Sequence, residues 1–444
     1  MAEKLSVTRQ LSRQKTAKRQ AIPFFEYRDG ALHCEDVPVS RIAEKVGTPA
    51  YVYSASSVLG SYRSLASAFG AAKPIICFSV KANANLGLLK LMAREGAGFD
   101  VVSGGEIFRA LKAGGDPRKI VYAGVGKTDD EIAYALRAGI LMFNVESEPE
   151  LENINAIAGK MGVTASVALR LNPDVDPRTH VYITTGKKEN KFGIDVERAA
   201  RIVTDLLPRL GNCRLAGLHM HIGSQITQVG PHAKALARVV RFIQTHRSQL
   251  PDLQYLNIGG GFGILYDLEK PAAARDVAAK LLPLILKTGL RLVMEPGRFI
   301  VGNAGILLTR VLYVKLSGAE KRFLICDAAM NDLVRPTLYD AYHRIWPAET
   351  AVSLYAPSRN GLELVDVVGP ICESGDFLAK DRWLPPARRG DLLAIFSAGA
   401  YGHTMSSNYN ARPRACEVLV QGDRFTVVRR RETNDDLIVA ETNL

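Results

Sequence analysis

The sequence predicts an α/β protein in which a (β/α)8 TIM-type barrel is joined to a second, antiparallel β-sandwich or barrel domain. Three observations carry that reading. Between about residues 74 and 300, short apolar, β-rich segments alternate with amphipathic stretches. Polar or glycine-rich tips recur at the C-terminal ends of those segments. After about residue 305 the pattern changes to strand–turn–strand, punctuated by Pro and Gly.

With 444 residues the chain exceeds what a single core usually supports, so about two domains are expected. Apolar residues make up 47% and charged residues 23%, a globular composition. No window reaches about 18 uncharged apolar residues, so no membrane partner is expected. Much of the net charge of +12 lies at the start, where Lys4, Arg9, Arg13, Lys15, Lys18 and Arg19 face only Glu3 and contribute +5. Residues 1–20 therefore read as a disordered basic tail without the apolar core of a secretory signal. No aromatic and basic interleaving supports a nucleic-acid partner. The six cysteines, at 34, 77, 213, 326, 372 and 416, lack paired spacing. They read as reduced thiols of a cytoplasmic protein, five of them buried and Cys372 the exception. No metal site is expected.

In chain order, residues 21–46 precede the barrel and are assigned, with 304–444, to the β domain, to which they are expected to donate a strand. The barrel is assigned to 47–303. Its candidate strands are 74–82, 98–104, 120–126, 141–147, 164–172, 215–224, 255–263 and 291–300. The first four start 24, 22 and 21 residues apart, room for one strand, one helix and two short loops each. Runs such as Leu88 to Arg94 and Gly105 to Leu111 supply the helical pattern between them. The second domain is expected to contain strands such as 305–314 and 424–429.

In a barrel the strand tips meet at one face, where sites are built. Those tips carry Lys81, Ser103, Arg170, His221, Gly259 to Gly261 and Glu295. A lysine at the end of an apolar strand is a desolvated amine able to form a Schiff base with a carbonyl. A glycine triplet after the seventh strand exposes backbone N–H groups to a phosphate. Glu295 can accept from a protonated pyridine nitrogen, His221 offers a flat ring for stacking, and Ser224 is a further phosphate donor. Taken singly, each has an ordinary structural reading. Glycine triplets are mostly turns, a lone histidine is mostly a satisfied core residue, Glu295 can pair with Arg298 on the surface, and lysines are mostly solvated. Their joint occurrence at strand tips, in this order, points to a pyridoxal phosphate site.

The runs that carry a family resemblance are Phe78 to Asn83, Gly98 to Glu106, Lys191 to Ile194, His219 to Gln225, Gly259 to Gly263, Glu295 to Arg298, Cys372 to Asp376 and Gly399 to Gly402. Through them the chain resembles, from about residue 25 to residue 440, the fold type III pyridoxal phosphate decarboxylases, and among these the branch that acts on diaminopimelate. The resemblance implies pyridoxal 5'-phosphate as cofactor and conversion of meso-2,6-diaminopimelate to L-lysine and CO2, the last step of lysine biosynthesis. It implies Lys81 as the Schiff-base lysine and His221 stacked on the ring, with Ser224, Gly261, Glu295, Gly297, Arg298 and Tyr401 holding the cofactor. It also implies a homodimer with shared sites, in which Cys372 donates a proton from the partner's β domain and Glu373 reaches the same site. Arg298, Arg335 and Tyr339 are candidates for the distal carboxylate of the amino-acid substrate and Glu373 for its ammonium, and Tyr401 is a further candidate substrate-binding residue. The alternatives are a sister decarboxylase for carboxynorspermidine, ornithine or arginine, or a non-catalytic homologue that keeps the cofactor site.

Overall fold

The computed structural model describes residues 22, 24–176, 191–318, 321–354 and 359–441. The basic tail 1–20 lies outside the described residues.

Eight parallel strands close into a barrel: β1 (Ile75–Ser79), β2 (Gly98–Val101), β3 (Ile120–Tyr122), β4 (Met142–Val145), β5 (Ala165–Asn172), β6 (Cys213–Met220), β7 (Tyr255–Asn257) and β8 (Arg291–Met294). Each pairs with its successor, and β8 returns to β1 through Val293 opposite Ile75 and Met294 opposite Ile76. All eight expected strands are present and begin within two residues of their expected starts; most expected C-terminal ends ran on into the loops that follow. Those loops are held by helix caps. The helices Gly104–Lys112, Asp129–Ala138 and Glu148–Met161 open on Ser103, Thr128 and Ser147, whose side chains accept backbone N–H groups of the first turn.

Strand alternation sorts the barrel side chains by face. Phe78, Phe99, Tyr122, Phe143 and Leu169 belong to the large core shared with the helices. Ile75, Cys77, Val121, Met142, Ala168 and Val293 form a separate small apolar cluster of the opposite parity, inside the barrel. Continuing that inward parity toward the C-terminal ends gives Ser79, Asp100, Asn144, Arg170, His219, Asn257 and Glu295. The interior is thus apolar low in the barrel and polar at its mouth.

The second domain is a nine-stranded sheet built around the long strand Gly305–Ser317. Most of its pairings are antiparallel, as expected, but two are parallel: Phe323–Ile325 with Asp366–Val368, and Cys416–Val420 with Ala50–Ser54. The strand taken from the N-terminal region is Ala50–Ser54, inside the range assigned to the barrel, rather than one from residues 21–46. Ala50–Ser54 is wholly buried between Gly305–Leu308 and Cys416–Val420. Residues 25–38 instead fold on themselves as a three-stranded sheet. The Asp29-Gly30 turn, both residues at positive φ (50° and 81°), reverses the chain so that its two flanking segments pair with each other. This small sheet is anchored by Leu32 N–H to Ala348 O at 2.7 Å and Thr350 N–H to Gly30 O at 2.8 Å. Of the five cysteines expected to be buried, Cys34, Cys77, Cys326 and Cys416 are; Cys213 is half-buried, at the start of β6.

Candidate active site

Lys81 follows β1 in a single helical turn, Val80–Ala82, which lifts its amine out of the strand and over the barrel mouth. Its Nζ lies 2.6 Å from Oδ2 of Asp100, which also accepts from Ser79 Oγ at 2.6 Å. The Asp100 carboxylate is fully buried and its Oδ1 has no partner, whereas the lysine side chain is 37% exposed. Burial disfavours the lysine charge, but Asp100, Tyr401 and Glu295 outweigh it and hold the amine above its ordinary range.

Glu295, just past β8, is buried within a donor set drawn from three other strands. Oε1 accepts from Asn144 Nδ2 at 2.7 Å and Asn257 Nδ2 at 2.6 Å, and Oε2 from His219 Nε2 at 3.2 Å. Burial alone would raise its carboxyl; His219, through its charge and hydrogen bond, and then the Lys81 charge overcome this and keep it below the usual carboxylate range. Glu295 and Arg298 do not pair. Arg298 sits on its own short helix, Arg298–Val301, only 7% exposed.

The glycine triplet is a close-approach element rather than an ordinary turn. A Cβ on Gly260 would stand 2.2 Å from Glu295 O, and one on Gly261 (φ 91°) 2.2 Å from Gly223 O. Only glycine lets the loop after β7 lie against the loops after β6 and β8, leaving its backbone at the mouth. Gly260 N–H donates to His221 Nδ1 at 3.2 Å, so that nitrogen is an acceptor and the ring is neutral with its proton on Nε2. Burial, then the Arg170 and Lys81 charges, hold His221 well below the ordinary histidine range. Gly297 is equally constrained, its Cβ position lying 2.8 Å from Ala82 Cβ.

A second cluster stands beside the first. Arg298 donates to Tyr266 Oη at 2.5 Å and to Ser224 Oγ at 3.1 Å, and its guanidinium lies 4.8 Å from the centre of the Tyr401 ring. Arg335, at the start of the short helix Arg335–Tyr339, donates to the same Tyr266 oxygen at 2.9 Å and to His343 Nε2 at 2.9 Å. His343 Nδ1–H donates to Phe396 O at 2.9 Å, and burial with the Arg335 charge pushes its pKa down to about 3. Two buried guanidiniums thus share one phenol oxygen. Among the described residues neither has a carboxylate partner, and the Nε of each is buried without a hydrogen bond. Half-buried Tyr339 completes this side. Tyr401 is tied to the barrel by its N–H to Ala82 O at 2.8 Å, with φ at 56°.

Lys81, His221, Ser224, Gly261, Glu295, Gly297, Arg298 and Tyr401 therefore gather at the barrel mouth, with Arg335 joined to them through Tyr266. Cys372 and Glu373 do not join them within the chain. Both are exposed; Cys372 N–H donates to Asn410 Oδ1 at 2.8 Å, and Glu373 Oε2 accepts from Tyr409 Oη at 3.2 Å. Sequence reasoning assigned no role to Asp100, Asn144, His219, Asn257, Tyr266 or His343. Four of these carried a signal: an isolated polar side chain inside an apolar strand.

A lysine at a barrel mouth facing a charge-holding carboxylate, with a glycine cradle and unpaired guanidiniums, is the donor set of a pyridoxal enzyme. Residues 55–302 match the family described as pyridoxal-dependent decarboxylase, pyridoxal binding domain. The chain is 48% identical to the diaminopimelate decarboxylase of Aquifex aeolicus over 94% of its own length and 97% of the relative's. It is 49% identical to that of Pseudomonas aeruginosa over 95% and 99%. The crystal structure of the Helicobacter pylori diaminopimelate decarboxylase complexed with L-lysine superposes with a TM-score of 0.85 at 39% identity, covering 91% of this chain and 99% of that one. The chain belongs to the diaminopimelate decarboxylase family of pyridoxal-dependent decarboxylases. A lysine/ornithine decarboxylase of Vibrio vulnificus, 22% identical with a TM-score of 0.74, shares the fold.

The residues fit pyridoxal phosphate on this structure's own terms. The cradle at Gly259 to Gly261 is one that a Cβ would fill, Glu295 is held charged, Lys81 is reachable, and the guanidiniums lack an anion.

Proposed function

We propose that this chain decarboxylates meso-2,6-diaminopimelate to L-lysine and CO2, as a cytoplasmic homodimer with shared active sites. The observation that carries the substrate is the Arg298–Tyr266–Arg335 cluster. A buried pair of cations without a carboxylate is unfavourable until an anion arrives, and a diamine-forming relative would have no distal carboxylate to offer it. Membership in the diaminopimelate decarboxylase family supports the same reading.

Lys81 would hold the cofactor covalently, with Glu295 on its pyridine nitrogen, His221 against its ring, and Ser224, Gly261, Gly297, Arg298 and Tyr401 around the phosphate and ring. When bound, the cofactor supplies an electron-poor ring that takes up the electron pair left as CO2 departs. Asn144, Asn257 and His219 keep Glu295 charged and aimed, three charge-assisted donors on one carboxylate. Asp100 holds the Lys81 amine in place when it is not bonded to the cofactor. Arg335, Tyr339 and Arg298 take the distal carboxylate, and Glu373 the distal ammonium. Cys372 returns the proton to carbon. Its exposure, and its lack of contact with Lys81 within the chain, support supply from a second copy. In the division of the chain that we favour, the barrel holds the cofactor and the second domain, including Ala50–Ser54, presents Cys372 and Glu373.

The test is an assay of lysine and CO2 release from meso-diaminopimelate run beside L-ornithine. Equal turnover of the two overturns the substrate assignment. Sedimentation of the purified protein reads the dimer.

A further inference from the structure

A cavity of about 400 Å³ opens beside Lys81, between the helix Gly104–Lys112 and the C-terminal part of the second domain. Its charged lining is Lys81, Arg109, Arg414 and Arg429 against Glu106 and Glu417, four cations and two carboxylates. Three of the cations are matched. Lys81 has Asp100 at 2.6 Å, Arg414 has Glu432 at 2.7 Å, and Arg429 pairs with Glu417. Arg109 is not matched. Among the described residues it has no carboxylate partner, and its Nη1 donates only to Ala84 O at 3.2 Å.

Glu106 stands three residues before Arg109 on the same helix, a spacing that normally pairs opposite charges. Here its Oε2 is taken by the Val102 N–H at 2.9 Å. Burial, offset in part by Lys81, also lifts the Glu106 carboxyl to about 7, so it neutralises Arg109 poorly. Burial and the facing Arg429 and Arg414 all disfavour the Arg109 charge, with Glu417 and Glu106 opposing them. A partly buried guanidinium among like charges gains from a counterion, and its planar fork matches a planar oxyanion with two parallel hydrogen bonds. A concave wall with an excess of positive charge, four cations against two carboxylates, concentrates such anions. The volume lies in the range of small-molecule sites, enough for a small anion with its waters.

We propose that this cavity is a subsite for a small planar oxyanion of the carboxylate or bicarbonate class, held by Arg109 with Arg414 and Arg429 behind it. The class, but not the site, rests on the decarboxylase reading. That reaction consumes a carboxylate and yields CO2, which in solution adds water to give bicarbonate and a proton. Either source would place the anion next to the Lys81 amine.

The experiment titrates the holoenzyme with sodium bicarbonate at constant ionic strength, with sodium chloride as control. Binding is read by the cofactor's visible absorbance and by calorimetry. Saturable bicarbonate binding is expected, weakened at least tenfold in Arg109→Gln and less in Arg109→Lys. Circular dichroism melting and cofactor content check that each variant is folded. Should Arg109→Gln fail those checks, Arg414→Gln, expected to weaken binding at least threefold, is read in its place. Bicarbonate that competes with diaminopimelate assigns the subsite to the substrate's carboxylate, and non-competitive bicarbonate assigns it to the free anion. Both support the subsite. Saturable binding by an enzyme that leaves diaminopimelate untouched supports it too, and overturns the substrate reading alone. No saturable response beyond chloride, or unchanged affinity in the folded variant, overturns the subsite.

Discussion

Replacing Arg335 by alanine isolates the distal-carboxylate clamp. The guanidinium is 7% exposed, so water screens it little, and it holds Tyr266 Oη and His343 Nε2 at 2.9 Å each. Loss of one member of a buried, hydrogen-bonded charge pair costs about 2–5 kcal/mol. At about 1.4 kcal/mol per tenfold, kcat/KM for meso-diaminopimelate should fall roughly 30- to 4,000-fold. Arg298 still reaches the same phenol oxygen and keeps part of the field, which places the loss toward the lower end. The Tyr266 and His343 partners are left behind, so a stability loss of about 1–3 kcal/mol accompanies it. Three readouts separate clamp from scaffold: steady-state kinetics with meso-diaminopimelate, the same with L-lysine or L-ornithine as substrates lacking the distal carboxylate, and the cofactor's visible band. The band should persist, and the slow reaction with the truncated substrates should change less than threefold. Arg335→Lys, which keeps the charge but not the fork, should recover only part of the activity. An equal fall for all three substrates, or a loss below threefold for diaminopimelate, refutes the reasoning.

Borohydride treatment of the holoenzyme should fix the cofactor to Lys81, and Lys81→Ala should show no such adduct in peptide mass spectra and lose activity by orders of magnitude; an adduct at another lysine would contradict the assignment. Mixing inactive Lys81→Ala with inactive Cys372→Ala should restore activity, because a hybrid dimer assembles one intact site; no recovery despite demonstrated subunit exchange would place both residues in one chain. Gly260→Ala, whose new Cβ would lie 2.2 Å from Glu295 O, should bind cofactor at least tenfold more weakly as measured by absorbance after dialysis, and retention equal to the unmodified protein would contradict the cradle. Asp332 is buried, its Oδ1 lacks a partner, and burial raises its carboxyl to about 7. A carboxyl raised on folding favours the fold at low pH, and that contribution is lost as pH climbs from about 4 through about 7, by up to ~4 kcal/mol. Melting temperatures across pH 4 to 8 should therefore fall less steeply for Asp332→Asn than for the unmodified protein, and parallel curves would remove Asp332 as the cause.

Much of the architecture was legible because barrel strands and helices announce themselves locally. Eight apolar runs, the first five at near-constant spacing and the last three farther apart, each end in a polar or glycine tip; they determine eight strand–helix units, and one face must then gather Lys81, His221, the glycine triplet and Glu295. Those tips could be read because they interrupt a pattern. Asp100, Asn144, His219 and Asn257 interrupt it too, as single polar residues within apolar strands, but a lone polar residue does not reveal which side chain it meets. That depends on strand register around the closed barrel, a non-local quantity, and only closure brings the three donors from β4, β6 and β7 onto Glu295. The N-terminal boundary shows the same limit. Ala50–Ser54 is apolar and could serve either domain; its partners, Gly305–Leu308 and Cys416–Val420, lie some 250 and 366 residues away. Sequence alone likewise gave Tyr266 and His343 no distinction from core aromatics. Their part depends on two arginines, 298 and 335, being folded onto one phenol oxygen, and on no acidic side chain among the described residues pairing with either. What the sequence determined is the chemistry available and the face it occupies. Which charges are neutralised there, and which are left to hold a ligand, was decided by tertiary packing, because burial and distance set the strength of every one of those interactions.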